Sequence, residues 1–321
     1  MTIDYASSDS ASWGVLAHLG ALRFSGADAL SFLQGQVSND TQRLTERTPV
    51  LAAYSTAQGR VLALIYLLPH SSGAVAIMPR EILEPTMDRM RKFILRAKVR
   101  IEDAADLIVA GQFGASPEAG SRYVEHDGVG IAPVGHDTGR HWIIGPPEKI
   151  AEPADAAAAQ HIEKEWRLAD IRAGLPQVYA ATSEAFVAQM LNLDLLDGIS
   201  FTKGCYTGQE IIARTQHLGK IKRRLHRLAL PSGTWKIGQA LRLADGRHGR
   251  LTEVIESRGR TEALAVLSVE AGGGAGAAAG GGAGAGAVAG STSGADAPGE
   301  LLVDAAELPL PYSLLGPHVR E

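Results

Sequence analysis

The chain contains a single cysteine, Cys205, and it lies in the stretch KGCYTGQE that runs from Lys203 to Glu210. A thiol becomes a nucleophile or a metal ligand once its thiolate is favoured, which a nearby cation or a helix N-terminus achieves. Both are at hand. Lys203 precedes the thiol by two residues, and TGQEIIAR reads as a helix start with Glu210 in its first turn. Gly204 and Gly208 would let backbone approach a ligand closely. Cys205 reads equally well as a small buried hydrophobe, which is what most free cysteines are. One thiol makes no intrachain disulfide, and no Cys-x-x-Cys exists to hold zinc or a cluster. Trp166, in EKEWRLADIRAG, reads either as core or as a flat face for an aromatic ligand.

Several elements must position these groups. Ala21–Ser25 reads as a short strand, with Ser25 as N-cap of a helix that carries Leu30, Leu33 and Val37. In YSTAQGRVLALIYLLPHSSGAVAIMP, a tight Gln58-Gly59 turn leads into two apolar runs joined at HSSG, the pattern of a hairpin. REILEPTMDRMRKFILRAKVRI predicts a helix with Met87, Met90 and Ile94 on one face, running into a strand. DLIVAGQFG and HWIIGPP read as strands. A helix from about Asp155 to Arg172 stops at Gly174 and Pro176, and a short helix is predicted at SEAFVAQML. Strand and helix mix without regular βαβ alternation, which favours an α+β class over a doubly wound one. After Arg227, short strands broken by PSG, ADG and SRG suggest a small β-barrel. Residues 271–299, almost entirely Gly and Ala, cannot bury enough apolar surface to offset chain entropy and read as a disordered insertion. ELLVDAAELPLPYSLL then reads as the closing strand of the small domain.

The 321 residues suffice for two domains, and 45% hydrophobic content is ample for a core. A formal net charge of −4 gives no global pull toward nucleic acid or anionic membrane. The start, MTIDYASSDSASW, lacks the pattern of a secretory signal, and the longest strongly apolar run, Val61–Leu68, falls far short of the roughly 20 residues that span a bilayer. A soluble, cytoplasmic protein of a reducing compartment is expected, with no membrane partner.

The run GISFTKGCYTGQEIIAR resembles the signature of the YgfZ family, folate-binding iron–sulfur assembly proteins related to the aminomethyltransferase of the glycine cleavage system. FLQGQVSND, STAQGR, DIRAGLP, LNLDLLDGIS and LPLPYSL follow the family's order, from about Gly20 to Leu314 apart from the Gly/Ala stretch. The resemblance implies a three-lobed, aminomethyltransferase-like folate-binding domain over residues 1–225. A small β-barrel would follow over 226–321, interrupted at 271–299. It implies tetrahydrofolate or a derivative as cofactor, with the signature loop beside the pocket. Cys205 and Lys203 then stand at the family's cysteine and lysine, and Trp166 where relatives place a folate-contacting tryptophan. Tyr206, Gln209, Glu210, Arg214 and Arg60 complete the candidate folate contacts.

Three departures bear on the chemistry. Leu62 and Ala63 occupy the positions where the glycine-cleavage enzymes carry an aspartate near folate's reactive nitrogen, so aminomethyl transfer lacks its acid–base group. Arg172 replaces a glutamate that would pair with the pterin ring. Gly20 replaces a tryptophan near the first strand. The leading expectation is a folate-dependent accessory factor in assembling or repairing iron–sulfur clusters, serving tRNA-modifying enzymes, with iron–sulfur proteins or assembly factors as partners. One thiolate falls short of the usual four, so no resident cluster is implied. A one-carbon transferase is the alternative. An RNA-binding protein is the second, resting on GKIKRRLHR within a stretch from Ile211 to Ala244 that has no acidic residue. A solvated basic strand at a domain junction, or a site for polyglutamyl-folate carboxylates, is preferred for that run. Arg60 and Lys220–Arg227 are accordingly expected to border an anionic ligand.

Overall fold

The structure is a computed structural model that describes residues 13–114, 122–135, 137–150, 156–218, 221–269 and 300–314. The Gly/Ala-rich insertion expected at 271–299 lies outside the described residues. Sixteen strands and four α-helices are described, and the strands make three sheets.

The first sheet has the order β3 (Val50–Ser55), β4 (Val61–His70), β5 (Gly73–Pro79), β2 (Leu19–Ser25), β6 (Arg100–Asp103), all antiparallel. Its centre is buried on both faces, as the near-continuous apolar run of β4 requires. One face packs under α1 (Ala29–Gln36) and α2 (Leu83–Arg91) through Phe32, Leu33, Leu83 and Met90. The second sheet has the order β1 (Trp13–Val15), β7 (Ile108–Phe113), β10 (Asp137–Gly145), β9 (Val129–Val134), β8 (Val124–His126). A shared core joins both sheets to α3 (Ala156–Ala173), with Tyr66, Trp142 and Trp166 at its middle.

The third sheet begins with β11 (Arg223–Leu230), which follows α4 (Gln209–Leu218). Its order is β15 (Leu301–Val303), β12 (Ala240–Leu243), β13 (His248–Ser257), β14 (Arg260–Ser268), β11, β16 (Ala306–Leu308). The segment expected to supply one closing strand supplies two, at opposite edges. Only Asp304 and Ala305 separate them, a step that spans about 10 Å at most. A flat six-stranded sheet would hold its edges roughly 24 Å apart. The sheet must therefore curl, and it forms a half-barrel.

Three expectations are corrected. Ser25 is a strand residue opposite Gly73, and Asp28 takes the N-cap position of α1. Ile94 lies beyond α2, which ends at Arg91. In SEAFVAQML only Ala188–Leu191 is helical, as a 3-10 helix; Ser183 and Glu184 form a turn, with Glu184 in the left-handed region, and Val187 bridges Arg60 next to β4. Glu184 N–H donates to Val61 O and Val61 N–H to Phe186 O, both at 2.8 Å. The start of β4 presents backbone groups that need partners, and the backbone of this turn supplies them where a helix, with its own groups paired internally, could not.

Side-chain ion pairs fix α3 to the third sheet. Arg167 reaches Glu253 at 2.6 Å, and the Tyr179 hydroxyl donates to the same carboxylate at 2.5 Å. Glu253 is 4% exposed, so its charge depends on these partners. Burial, reinforced by the Glu253 charge, pushes the Tyr179 phenol well up. Near the end of α3, Arg172 and Arg227 share Glu262 at 2.8 and 2.5 Å. Burial raises the Glu262 carboxyl, but the two guanidinium groups outweigh it and hold the group below its ordinary value.

Two outcomes follow for stability. Glu253→Ala strands Arg167 and Tyr179, and should cost roughly 3–5 kcal/mol in urea unfolding, while Arg167→Met with Glu253→Leu recovers most of that loss. Because Glu262 titrates lower when folded than when unfolded, its contribution is complete above the unfolded value of about 4.3 and disappears as pH falls through the folded one. Glu262→Gln should flatten that acid limb of a stability-against-pH curve.

Candidate functional site

Three sequence-distant motifs meet around Cys205. The first, FLQGQVSND, covers the end of α1 and the turn beyond it. Ser38 and Asn39 of that turn are fully buried and hydrogen-bonded in two directions. The Ser38 hydroxyl donates to Gly198 O at 2.6 Å and accepts from Ala53 N–H at 2.8 Å. The Asn39 amide donates to Leu51 O and to Asp197 O. Strand β3 and the approach to the signature loop are thus held by the same two side chains.

Lys203 makes the central connection. Its ammonium donates to Gln34 O, Val37 O and Asn39 O at 2.7, 2.7 and 2.8 Å. These carbonyls lie at the C-terminal end of α1, where the last turn leaves acceptors unsatisfied and the helix dipole favours a cation. Three donors meet three acceptors, a match only the charged amine provides. Burial lowers the Lys203 ammonium to about 8, with Asp40 opposing. The ammonium also lies 4.9 Å over the Tyr206 ring, and burial raises the Tyr206 phenol to about 12. All three Lys203 protons are therefore committed to backbone, which corrects the expectation that this cation serves the thiol.

The third motif, the STAQGR turn, buttresses the loop from the other side. Gly208 (φ +84°) and Gly59 (φ +71°) face each other, both in the left-handed region. A Cβ on Gly208 would stand 2.6 Å from Thr56 O, and one on Gly59 2.9 Å from Ile211 Cβ, so neither position admits another residue. Thr207 N–H donates to Gly35 O, returning the loop to α1. Held on both sides, the loop exposes Cys205 itself. The thiol is no core hydrophobe. It stands four residues before α4, where Gln209 is half-buried and Glu210 and Arg214 are exposed on successive turns.

Other expected site residues are placed elsewhere. Trp166 is fully buried between Trp142, at 4.8 Å, and Phe113, at 5.6 Å, with the Arg140 guanidinium 4.9 Å from its ring. It presents no face to an open pocket, because the packing of α3 against β7 and β10 seals it. The Arg60 guanidinium donates to Ala185 O and braces the turn beside β4. In the basic run, Arg224 forms a double hydrogen bond with Asp194, Arg227 pairs with Glu262, and His226 contacts Glu307. Arg224 and Arg227 are thus matched by carboxylates that the linear sequence keeps far away, Lys222 and Arg223 have no ion-pair partner within 4.0 Å among the described residues, and Lys220 lies outside them. Arg172 is likewise engaged by Glu262. At Gly20 the missing side chain's space is filled: a Cβ would stand 2.7 Å from Leu83 Cδ1.

Leu62 leads to a different cavity. It helps line an opening of about 500 Å³ between β4 and α2, with Tyr54 at its inner wall. Glu81, Asp88 and Glu184 bring carboxylates to it, and Arg89 and Lys92 bring cations. Burial raises the Tyr54 phenol, against the lowering effect of Arg89. Sequence reasoning missed this site because its wall residues come from four separate segments. Among the described residues no group of three or more His, Cys, Asp or Glu side chains is arranged to hold a metal, and no helix is long and apolar enough to cross a membrane.

Lys203→Met should destabilise the fold by roughly 2–4 kcal/mol, since three carbonyls lose a charged donor. Cys205→Ser, at an exposed site, should change stability by no more than about 0.5 kcal/mol. Equilibrium urea unfolding of both variants checks the pair.

Comparison with known proteins gives consistent neighbours. No family model matches the chain. The tRNA-modifying protein YgfZ of Colwellia psychrerythraea is 33% identical over 223 residues, which is 65% of this chain and 69% of that protein. Its counterpart in Pectobacterium carotovorum is 31% identical over 219 residues, 64% of this chain and 66% of that one. That of Yersinia pestis is 33% identical over 223 residues, with coverage of 64% and 66%. Among solved structures, the glycine cleavage system aminomethyltransferase T from Bartonella henselae superposes with a TM-score of 0.52 over 81% of this chain and 78% of that one. At 13% identity this likeness establishes the fold, an aminomethyltransferase-like arrangement of the three sheets. With a third of its residues shared over two thirds of the Colwellia protein, the chain belongs to the YgfZ family.

Proposed function

We propose that this protein is a folate-binding accessory factor that supports the assembly or repair of iron–sulfur proteins serving tRNA modification, with Cys205 as its working group. The observation that carries the reading is the construction of the signature loop: Lys203, Gly59 and Gly208 fix the backbone while the chain's one thiol is left exposed. A thiol kept in solvent at the centre of a rigid loop contributes nothing to packing. It is placed for contact with a partner. A single thiolate offers one soft ligand or nucleophile, so any cluster it touches must be held by donors from elsewhere.

Tetrahydrofolate or a derivative fits the cavity at Leu62. The opening falls in the size range of small-molecule sites. Glu81, Asp88 and Glu184 offer acceptors for the amino and ring N–H groups of a pterin, and Tyr54 offers an aromatic wall. Arg89 and Lys92 at the rim offer partners for glutamyl carboxylates. Bound there, the cofactor would supply a one-carbon carrier. The chain's own contribution is to hold it, since Leu62 and Ala63 place no ionisable side chain where transfer chemistry requires one. The reading is therefore a folate-responsive binding protein rather than a transferase, and the cytoplasm is its proposed location.

Calorimetry with 5-formyltetrahydrofolate should show saturable binding. Arg89→Ala with Lys92→Ala should weaken a pentaglutamyl form about 5-fold more than the monoglutamate, because only the former carries the extra carboxylates. Absence of binding at millimolar ligand removes folate from the account. Cys205→Ser should bind folate with wild-type affinity yet fail to restore iron–sulfur enzyme activities in a strain lacking the protein. Full restoration would show the thiol to be idle.

A further inference from the structure

The partly neutralised run at residues 222–227 is not the only cationic segment of the described surface. Between Arg89 and Arg100 the chain carries Arg89, Arg91, Lys92, Arg96, Lys98 and Arg100, with no acidic residue among them. All six are exposed, as are Phe93 (47%) and Leu95 (88%), two of the most exposed large apolar side chains described. Carboxylates take little of this charge. Arg100 meets Glu102 at 3.0 Å, Arg91 stands 3.7 Å from Asp88, and Arg89 3.9 Å from Glu184. Lys92, Arg96 and Lys98 have no ion-pair partner within 4.0 Å among the described residues.

The backbone here is fixed. Lys98 N–H donates to the Asp28 carboxylate at 2.6 Å, and Asp28 N–H returns a bond to Lys98 O. The segment is thus tied to the N-terminal end of α1, whose C-terminal end is held by Lys203. Eight residues of helix span about 12 Å. The cationic segment and the Cys205 loop therefore stand at the two ends of one short, rigid rod.

We propose that residues 92–100 form a docking surface for single-stranded RNA, in which Arg96 and Lys98 contact phosphates and Phe93 stacks on a base. Interleaved cations and an exposed aromatic ring are the two components of sequence-tolerant single-strand binding. An anionic bilayer is the other surface that attracts basic segments, but it selects an amphipathic helix with its apolar residues on one face. Residues 92–99 are not helical, and Phe93 and Leu95 are not arrayed along such a face. An RNA strand held here lies within roughly one helix length of the thiol at the far end of α1. The proposal rests on the tRNA side of the function above; Lys92 borders the folate cavity, but the three named contacts, Phe93, Arg96 and Lys98, do not line it.

The test is fluorescence anisotropy of the full chain with a labelled single-stranded RNA of about 20 nucleotides, a span that covers the surface with room for register. Arg96→Glu with Lys98→Glu should weaken binding at least about 10-fold and reduce the salt slope by roughly 1.4, the loss of two phosphate contacts on a single strand. Phe93→Ala should weaken binding about 5-fold or more with the slope unchanged, because stacking releases no counterion. Lys222→Glu with Arg223→Glu carries the same charge change at another site and should have little effect. Equal loss in that control pair overturns the proposal, as does wild-type protein that fails to bind RNA. Tighter binding to phosphatidylserine vesicles than to RNA, lost on Arg96→Glu with Lys98→Glu, assigns the surface to membrane and also overturns it. Folate calorimetry on the same variants should be unchanged. Failure of the wild type to bind folate while it binds RNA would sink the cofactor reading and leave this surface intact.

Discussion

The attachment of the Lys203 ammonium to three carbonyls at the end of α1 is the constraint on which the site depends. A helix C-terminus leaves carbonyls without partners, and burying them unpaired is costly. Lysine solves this from more than 160 residues away in sequence. One side chain thereby closes the helix and sets the loop that follows it. The adjacent Cys205 inherits its position from this interaction without taking part in it. The cation ring contact with Tyr206 and the facing glycines at 59 and 208 remove the remaining freedom.

A second consequence concerns charge. Several cations at the third sheet are matched to specific carboxylates: Arg224 to Asp194, Arg227 and Arg172 to Glu262, Arg167 to Glu253. These pairs clamp the half-barrel to α3 and to the segment before the signature loop. The cations between Arg89 and Arg100 are held more loosely: Arg89 and Arg91 stand 3.9 and 3.7 Å from carboxylates, Arg100 meets Glu102 at 3.0 Å, and Lys92, Arg96 and Lys98 have no ion-pair partner within 4.0 Å among the described residues. A run of loosely paired cations thus lies on the first sheet's side, along with the cavity at Leu62 and α1.

Much of this was legible in the sequence, for reasons that differ by residue. The HSSG hairpin, the Gln58-Gly59 turn and the Gly174 stop are local, and local backbone preference announced them. The α+β class and the family were legible because motif order is itself a linear property. Partnerships across the chain were not. Nothing near Arg224 or Arg227 in sequence shows that Asp194 and Glu262 will neutralise them, so the run GKIKRRLHR looked more available than it is. Trp166 misled for a related reason: its alignment position says nothing of the packing by Trp142 and Phe113 that seals it. The proximity of Lys203 to Cys205 in sequence suggested a partner for the thiol, whereas its amine donates to carbonyls at the end of α1. The segment SEAFV read as helical because propensity cannot register the unpaired edge of β4 beside it.

The central claim is that a rigid loop presents Cys205 to solvent. Because the chain has one thiol, the rate of its alkylation by iodoacetamide, followed by intact mass, reports on that residue alone. The account predicts single, complete labelling of the native protein at a rate within about 10-fold of the urea-unfolded chain. Protection of the native thiol by about 100-fold or more would place Cys205 in the interior and contradict the account.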